Sequence, residues 1–251
     1  LLPSGVWLAL PIFGALPFAL GATDSSFTDA FFEAMSGLTT TGATVISGLD
    51  YLPDGLLLWR SILQWLGGIG IIVVAMVFLP ELRVGGMQIF KSEGFDTFGK
   101  ILPRATEIAA QVAWLYVGLT GACAVIYIAT GMRSFDAVLH AMTTIATGGF
   151  STYDSSFVKF GASTEYAAVV FMCLAALPFV RYVQLINGAP GSLFQDSQVR
   201  VFFIVLLVTV GFLTLVLWQG YQFSGELGFR KALFNVVSIT TGTGYASADY
   251  S

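Results

Sequence analysis

"SGLTTTGATV", residues 36–45, packs four threonines and two glycines into ten uncharged residues of a strongly apolar chain. Related wording returns twice, as "MTTIATGGFST" over residues 142–152 and "SITTGTGYAS" over residues 238–247. Each run closes a longer unit. "DAFFEAMSGLTTTGAT" starts at Asp29, "DAVLHAMTTIATGGFS" at Asp136 and "KALFNVVSITTGTGYA" at Lys231, and the three align without a gap. Ala30, Ala137 and Ala232 coincide, as do Glu33, His140 and Asn235. Thirteen residues into each unit comes a glycine: Gly42, Gly149 and Gly244. Self-similarity at this level marks a repeated structural unit.

The surroundings set the class. Of 251 residues, 56% are apolar and 10% charged, against about 25% charged in an ordinary soluble domain. Leu1–Thr23, Ser61–Leu79, Ile108–Met132 and Val201–Gly225 each reach the length of a membrane helix, about 18 apolar-rich residues or more. Tyr166–Ile186 is a fifth candidate, with Arg181 near its end. The expectation is an all-α membrane protein with five spans. Pro3, Pro11 and Pro17, and the lack of a basic leader, argue against a signal peptide at the start. The chain begins without Met in apolar sequence and stops at Ser251, so a piece of a longer protein is expected. Cys123 and Cys173 fall inside helices, as small core residues do. Zinc spacing, dinucleotide fingerprint, phosphate loop and basic cluster are all absent, so neither a cofactor nor nucleic acid is expected.

Loop charge orients the spans. Arg83, Lys91, Lys100 and Arg104 place the stretch between the second and third spans in the cytoplasm. Gly21–Gly55 carries only acids, Asp24, Asp29, Glu33, Asp50 and Asp54, and is expected outside. Five alternating spans then put all three Thr/Gly runs on the outer side. The expected division is 1–79 for a first helix, pore loop, helix repeat, 80–107 for a cytoplasmic linker and 108–186 for a second repeat. Residues 187–200 form another linker, and 201–251 an incomplete third repeat.

Ser26–Met35 and Ser134–Met142 read as short helix starts with acidic first turns. At about nine residues they are too short to span. Such a segment re-enters the membrane, stops part-way, and hands over to a Thr/Gly run that returns outward in extended form. Irregular backbone at membrane depth must be buried or line a watery cavity. Glycine permits close approach and unusual angles, threonine adds an uncharged oxygen, and a ring of carbonyls can replace a cation's hydration shell. Small-residue clusters also mark helix packing, but three copies in register weigh against packing alone.

The units, "WRSILQWLGGIGIIV" from Trp59, "GGMQIF" from Gly85 and "ATGGFST" from Ala146 resemble the Trk/Ktr/HKT superfamily of potassium transporters, most of all its bacterial TrkH branch. The resemblance runs over essentially the whole chain. It implies four helix, pore-loop, helix repeats around one pore, re-entrant pore helices with extended filter strands, and potassium held by backbone oxygens. Carried over by position, the filter residues are Thr40, Thr41 and Gly42, then Thr147, Gly148 and Gly149, then Gly242, Thr243 and Gly244. Plant members with serine at the first filter glycine carry sodium, so Gly42 implies potassium. The resemblance further implies a homodimer in a bacterial inner membrane, docked on a cytosolic nucleotide-binding regulator of the TrkA type through the Arg83–Arg104 side. The fourth repeat, the helix after the third filter and the family's initial helices are missing here, so this piece alone is not expected to close a pore.

Several residues carry two readings. Arg60 either snorkels to the interface or bonds loop carbonyls behind the filter, with Gln64 one turn on. Gly67, Gly68 and Gly70 are expected to allow close helix approach. His140 is expected to be a polar pore-helix position, and Arg181 a snorkelling end. Phe150 and Tyr245 are expected to wedge the filter strands. Asp154 and Asp249 either enrich cations at the mouth or are plain surface carboxylates. The main alternative to a filter is a secondary transporter coupling potassium to sodium or protons. It would want intramembrane acids, and none lies in the five helix cores. An enzyme would need a catalytic constellation that lone His140 does not supply.

Overall fold

The computed structural model describes residues 2–78, 104–188, 191–219 and 225–248. Among these the chain is helical and contains no β-strand. In chain order the helices are α1 (Leu2–Leu20), α2 (Phe27–Leu38), α3 (Asp54–Phe78), α4 (Arg104–Ala129), α5 (Ser134–Ile145), α6 (Ala162–Ala176), α7 (Phe179–Ile186), α8 (Gly191–Phe194), α9 (Ser197–Gln219) and α10 (Gly225–Thr240). The expected 80–107 linker, apart from the start of α4, and Asp249 lie outside the described residues.

A long helix, a short helix and a long helix recur. α1 packs on α2 and α2 on α3; α4 packs on α5 and α5 on α6; α9 packs on α10. Contacts also cross between these groups: α3 packs on α4 and α5, and α6 packs on α10. α5 and α10 are thus each held by a long helix of their own group and by one from the group before, while α2 is held by α1 and α3 of its own group. Ser26 starts α2, its Oγ accepting from Asp29 N at 3.2 Å, the capping arrangement that satisfies an orphan amide.

Ile108–Ala129 and Ser197–Gln219 are long and apolar enough to cross a bilayer as straight helices, about 33 Å or more at 1.5 Å per residue. α9 turns Val201, Ile204, Leu207, Val208, Phe212 and Leu215 outward, a surface suited to hydrocarbon rather than water. The fifth expected span is different. Tyr166–Ile186 is no continuous helix: α6 and α7 meet at 86°. Pro178 is the cause, because its ring pushes the preceding residue out of the helical region, and Leu177 is extended at φ −76°, ψ 148°. Beyond the break Arg181 does not snorkel. Its Nε donates to Asp196 Oδ2 at 2.7 Å, which ties α7 to the start of α9.

Two apolar cores follow. One surrounds Phe18, Ala34, Leu49 and Leu63; the larger surrounds Tyr116, Tyr127, Phe157, Met172 and Phe234. Cys123 is buried in the larger one. Glycine decides how closely α3 approaches both short helices. A methyl group at Gly67 would overlap the Leu38 carbonyl, and one at Gly68 would lie 2.7 Å from Tyr116 Oη and 3.1 Å from Ala146. Gly70 faces nothing within 4 Å, so the expected close approach holds for two of the three glycines.

Gly67→Val should therefore destabilise the purified protein by about 1–3 kcal/mol through overpacking. Gly70→Ala should stay within about 0.5 kcal/mol of the parent. Thermal unfolding compares them; equal losses would contradict this packing.

Candidate functional site

The three Thr/Gly runs leave their short helices in one way. After α2, Thr40 takes left-handed angles at φ +54°; its N–H donates to Gly37 O at 2.9 Å, and Thr41 N–H to Ser36 O at 2.9 Å. After α5, Thr147 is left-handed at φ +52°; it donates to Thr144 O and Gly148 donates to Thr143 O, both at 3.0 Å. After α10, Gly242 at φ +77° donates to Ile239 O at 3.1 Å. These are Schellman-type ends, in which a left-handed residue turns the chain off the helix and satisfies its last carbonyls. Two residues on, Gly42, Gly149 and Gly244 are left-handed again, at φ +79°, +71° and +82°. The runs are therefore not the plain extended strands expected. Left-handed angles recur at every second residue of each run.

The runs also meet. A methyl group at Gly42 would overlap the Gly148 carbonyl, and one at Gly149 would overlap the Thr243 carbonyl. Gly148 and Thr243 occupy the same place in their copies, one residue before Gly149 and Gly244. The first run thus abuts the second as the second abuts the third. The hydroxyls of Thr41 and Thr243 are turned locally, each 2.8 Å from the hydroxyl of Thr39 or Thr241. Under the runs lies a cavity of about 610 Å³, lined by Thr40, Thr147, Thr240, Thr241 and the Leu177–Pro178 break. The C-terminal ends of all three short helices border it. Such ends carry partial negative charge.

Side chains hold each run from behind. Glu33 accepts from Val45 N at 3.1 Å and from the Thr44 hydroxyl at 2.9 Å. His140 bonds Asp136 O through Nδ1 at 2.8 Å and Ser151 Oγ through Nε2 at 3.0 Å. Asn235 accepts from Ser247 N at 3.1 Å. Three different residues at one repeat position thus brace the outer limb of their own run. Arg60 is buried rather than snorkelling: Nε donates to Glu33 at 2.8 Å and Nη1 to Ser151 O at 2.8 Å. Its guanidinium lies 4.1 Å over the Phe150 ring. Gln64 donates from Nε2 to Gly148 O at 2.8 Å and accepts from Phe150 N at 3.0 Å.

The sequence profile of TrkH, described as cation transport protein, matches residues 6–251. The chain belongs to this family. It is 43% identical to the Trk system potassium uptake protein TrkI of Halomonas elongata, over 98% of this chain and 50% of that protein. It is 41% identical to the Trk system potassium uptake protein TrkH of Escherichia coli, over 96% of this chain and 51% of that one. The crystal structure of the potassium transporter TrkH from Vibrio parahaemolyticus superposes with a TM-score of 0.85 at 38% identity, covering 96% of this chain and 50% of that chain. The chain spans about half the length of the relatives it matches.

For a TrkH family member the remaining residues fall into place. Phe150 and Tyr245 are buried as wedges, and the Tyr245 hydroxyl reaches across to Thr144 Oγ1 at 3.2 Å and His140 O at 3.1 Å. Asp154 accepts from Gly48 N at 2.9 Å and Leu49 N at 3.2 Å, so it ties the second loop to the first. Glu165 has no counterpart in the expectations. It is buried and takes Lys231 Nζ at 2.7 Å and Arg230 Nη1 at 2.9 Å, while Lys231 also donates to Ser247 O at 2.6 Å. The available signal was a basic residue, Lys231, where the other copies carry Asp29 and Asp136.

Gly242→Ala should cost about 1–2 kcal/mol from left-handed strain alone, since nothing lies within 4 Å of the added methyl. Thr147→Gly releases the same strain, offset by about 0.5–1 kcal/mol of glycine's extra chain entropy, and should be neutral or stabilising. Thermal midpoints of the two variants check the sign; an unchanged Gly242→Ala protein would contradict the helix-end geometry.

Proposed function

We propose that this segment supplies three sides of a potassium-selective filter and serves potassium uptake across a bacterial inner membrane. The observation that carries the reading is the repeated contact between runs, Gly42 on the Gly148 carbonyl and Gly149 on the Thr243 carbonyl. The runs would bind potassium through backbone oxygens of Thr40–Gly42, Thr147–Gly149 and Gly242–Gly244. A fully extended strand alternates its carbonyls from side to side, and left-handed angles at every second residue break that alternation. A set of carbonyls turned the same way replaces water around a cation, and selectivity follows from their number, field and spacing. The helix ends bordering the cavity below favour a cation entering or leaving. Gly148 O keeps one lone pair for an ion while Gln64 occupies the other.

The alternative is a carrier coupled to sodium or protons. The buried carboxylates speak for the filter reading, because Glu33 is paired with Arg60 and Glu165 with Arg230 and Lys231. Both acids are engaged in holding the runs, Glu33 directly and Glu165 through Lys231. The names of the relatives, potassium uptake proteins of the Trk system, support potassium as the ion. In the complete transporter the division into repeats, a fourth filter side beside Gly244, a homodimer and a TrkA-type cytosolic regulator are part of the same proposal.

Gly42→Ser in the complete transporter should lower the potassium-over-sodium uptake ratio, because its side chain would collide with the Gly148 carbonyl. Gly68→Ser should lower protein level more than the ratio, since its neighbours are Tyr116 and Ala146. Uptake of the two ions at matched protein levels decides. A ratio shifted only by Gly68→Ser would remove the Thr/Gly runs from the filter.

Sidedness has its own test. Cysteine at Asp50 should be labelled by an impermeant reagent from outside, and cysteine at Lys91 should not; the reverse pattern would invert the topology.

A further inference from the structure

The charge behind the filter crosses from one repeat to the next. Arg60 sits on α3, which follows the first Thr/Gly run, yet its Nη1 donates to Ser151 O, on the outer limb of the second run. One turn along the same helix, Gln64 grips Gly148 O and Phe150 N, on either side of Gly149. Arg60 is meanwhile bonded to Glu33, and Glu33 holds the outer limb of the first run through Val45 N and Thr44. A single ion pair therefore links the outer limbs of two adjacent runs. The next boundary carries half of the device: an ion pair reaches the third run from the helix before it, without a bond to the second run among the described residues. Glu165, on the helix after the second run, holds Lys231, and Lys231 donates to Ser247 O on the third.

Stability alone is a weak reason for such a pair. Arg60 and Glu33 are 1% and 0% exposed, and removing two charges from water often costs as much as their attraction returns. Apolar residues of similar volume would pack the same space. A guanidinium offers something else: a rigid fork of donors that fixes two acceptors at a set separation. Here Thr44 Oγ1, 3.2 Å from Nη2, belongs to the first run and Ser151 O, 2.8 Å from Nη1, to the second.

Resting on the filter reading above, we infer that Glu33, Arg60 and Gln64 are positioning residues for ion preference. They set the spacing of the first run against the second from the far side of the backbone, without touching the ion. Glu165 and Lys231 brace the third run alone. Ion preference at the second run is thus governed by the long helix of the preceding repeat.

The test is uptake of potassium and of sodium by cells or vesicles bearing the complete transporter, with protein levels matched. Arg60→Gln should lower the potassium-over-sodium ratio about tenfold, which corresponds to about 1.4 kcal/mol of discrimination. Arg60→Lys keeps the charge beside Glu33 but cannot span both acceptors, so it should restore protein level and leave the ratio reduced. Gln64→Leu removes the second grip without creating an unpaired charge and should lower the ratio too. Met172→Ala, a change in the apolar core that touches neither the Arg60–Glu33 pair nor Gln64, should reduce protein level with the ratio intact. If Arg60→Gln fails to reach the membrane, Arg60→Lys and Gln64→Leu decide in its place. Unchanged ratios in both, with the parent still preferring potassium, would overturn the proposal and leave the pair a packing element. A parent that takes up both ions equally would instead overturn the filter reading, and the proposal with it.

Discussion

Three short helices must stop inside the structure, and the left-handed residue that stops each one governs everything downstream. A helix end leaves carbonyls without partners, and at membrane depth no water meets them unless a cavity brings it. The ends at Thr40, Thr147 and Gly242 bend the chain back so that its own amides satisfy two of those carbonyls. The same bend aims the following residues at the neighbouring run. The contacts of Gly42 and Gly149 with a carbonyl of the next copy follow from this geometry. Without it, the runs would continue as helix and their mutual contacts would be lost.

Once bent, the runs need support from behind, because irregular backbone has no ladder to hold it. The support comes from one polar residue on each short helix, Glu33, His140 or Asn235, reaching the outer limb of its own run. A second layer comes from long helices, through Arg60, Gln64 and Glu165. Close approach makes the second layer reachable. Gly67 and Gly68 let α3 lie against the ends of α2 and α5, which brings Gln64 within 2.8 Å of Gly148 O. Packing by small residues and polar bracing are therefore one device on α3 rather than rival readings of it.

The repeat was legible in the sequence because it is local and periodic. The starts of α2 and α5, the glycine positions and the class of the fold all follow from hydrophobic runs and gap-free alignment. The left-handed angle at Thr40 and Thr147 was not legible, since threonine seldom adopts it and does not advertise it; only Gly242, in the third copy, gives the position away. The break between α6 and α7 had a visible cause in Pro178, but a long apolar run masked it. Partners of Arg60 and Gln64 lie 91 and 84 residues away, and no periodicity reports contacts of that range. For Asp154, neither reading of a lone acid anticipated the backbone amides of Gly48 and Leu49.

The place where the copies differ most shows what the repeat conserves. Asp29, Asp136 and Lys231 share a position yet carry opposite charge. Asp136 accepts from Arg133, Thr152 and Tyr153, all in or next to its own copy. Lys231 instead takes a carboxylate from α6 and gives a bond to Ser247 O. Both Asp136 and Lys231 leave the outer limb of the run bonded and the charge compensated nearby, whereas Asp29 bonds Ser26 at the start of its own helix. What those two copies share is an outer limb tied at a fixed place, through side chains in one and a backbone carbonyl in the other. A single chain that folds its copies in tandem can vary those pairs independently. The three runs can then be braced unequally while their backbone contacts stay equivalent.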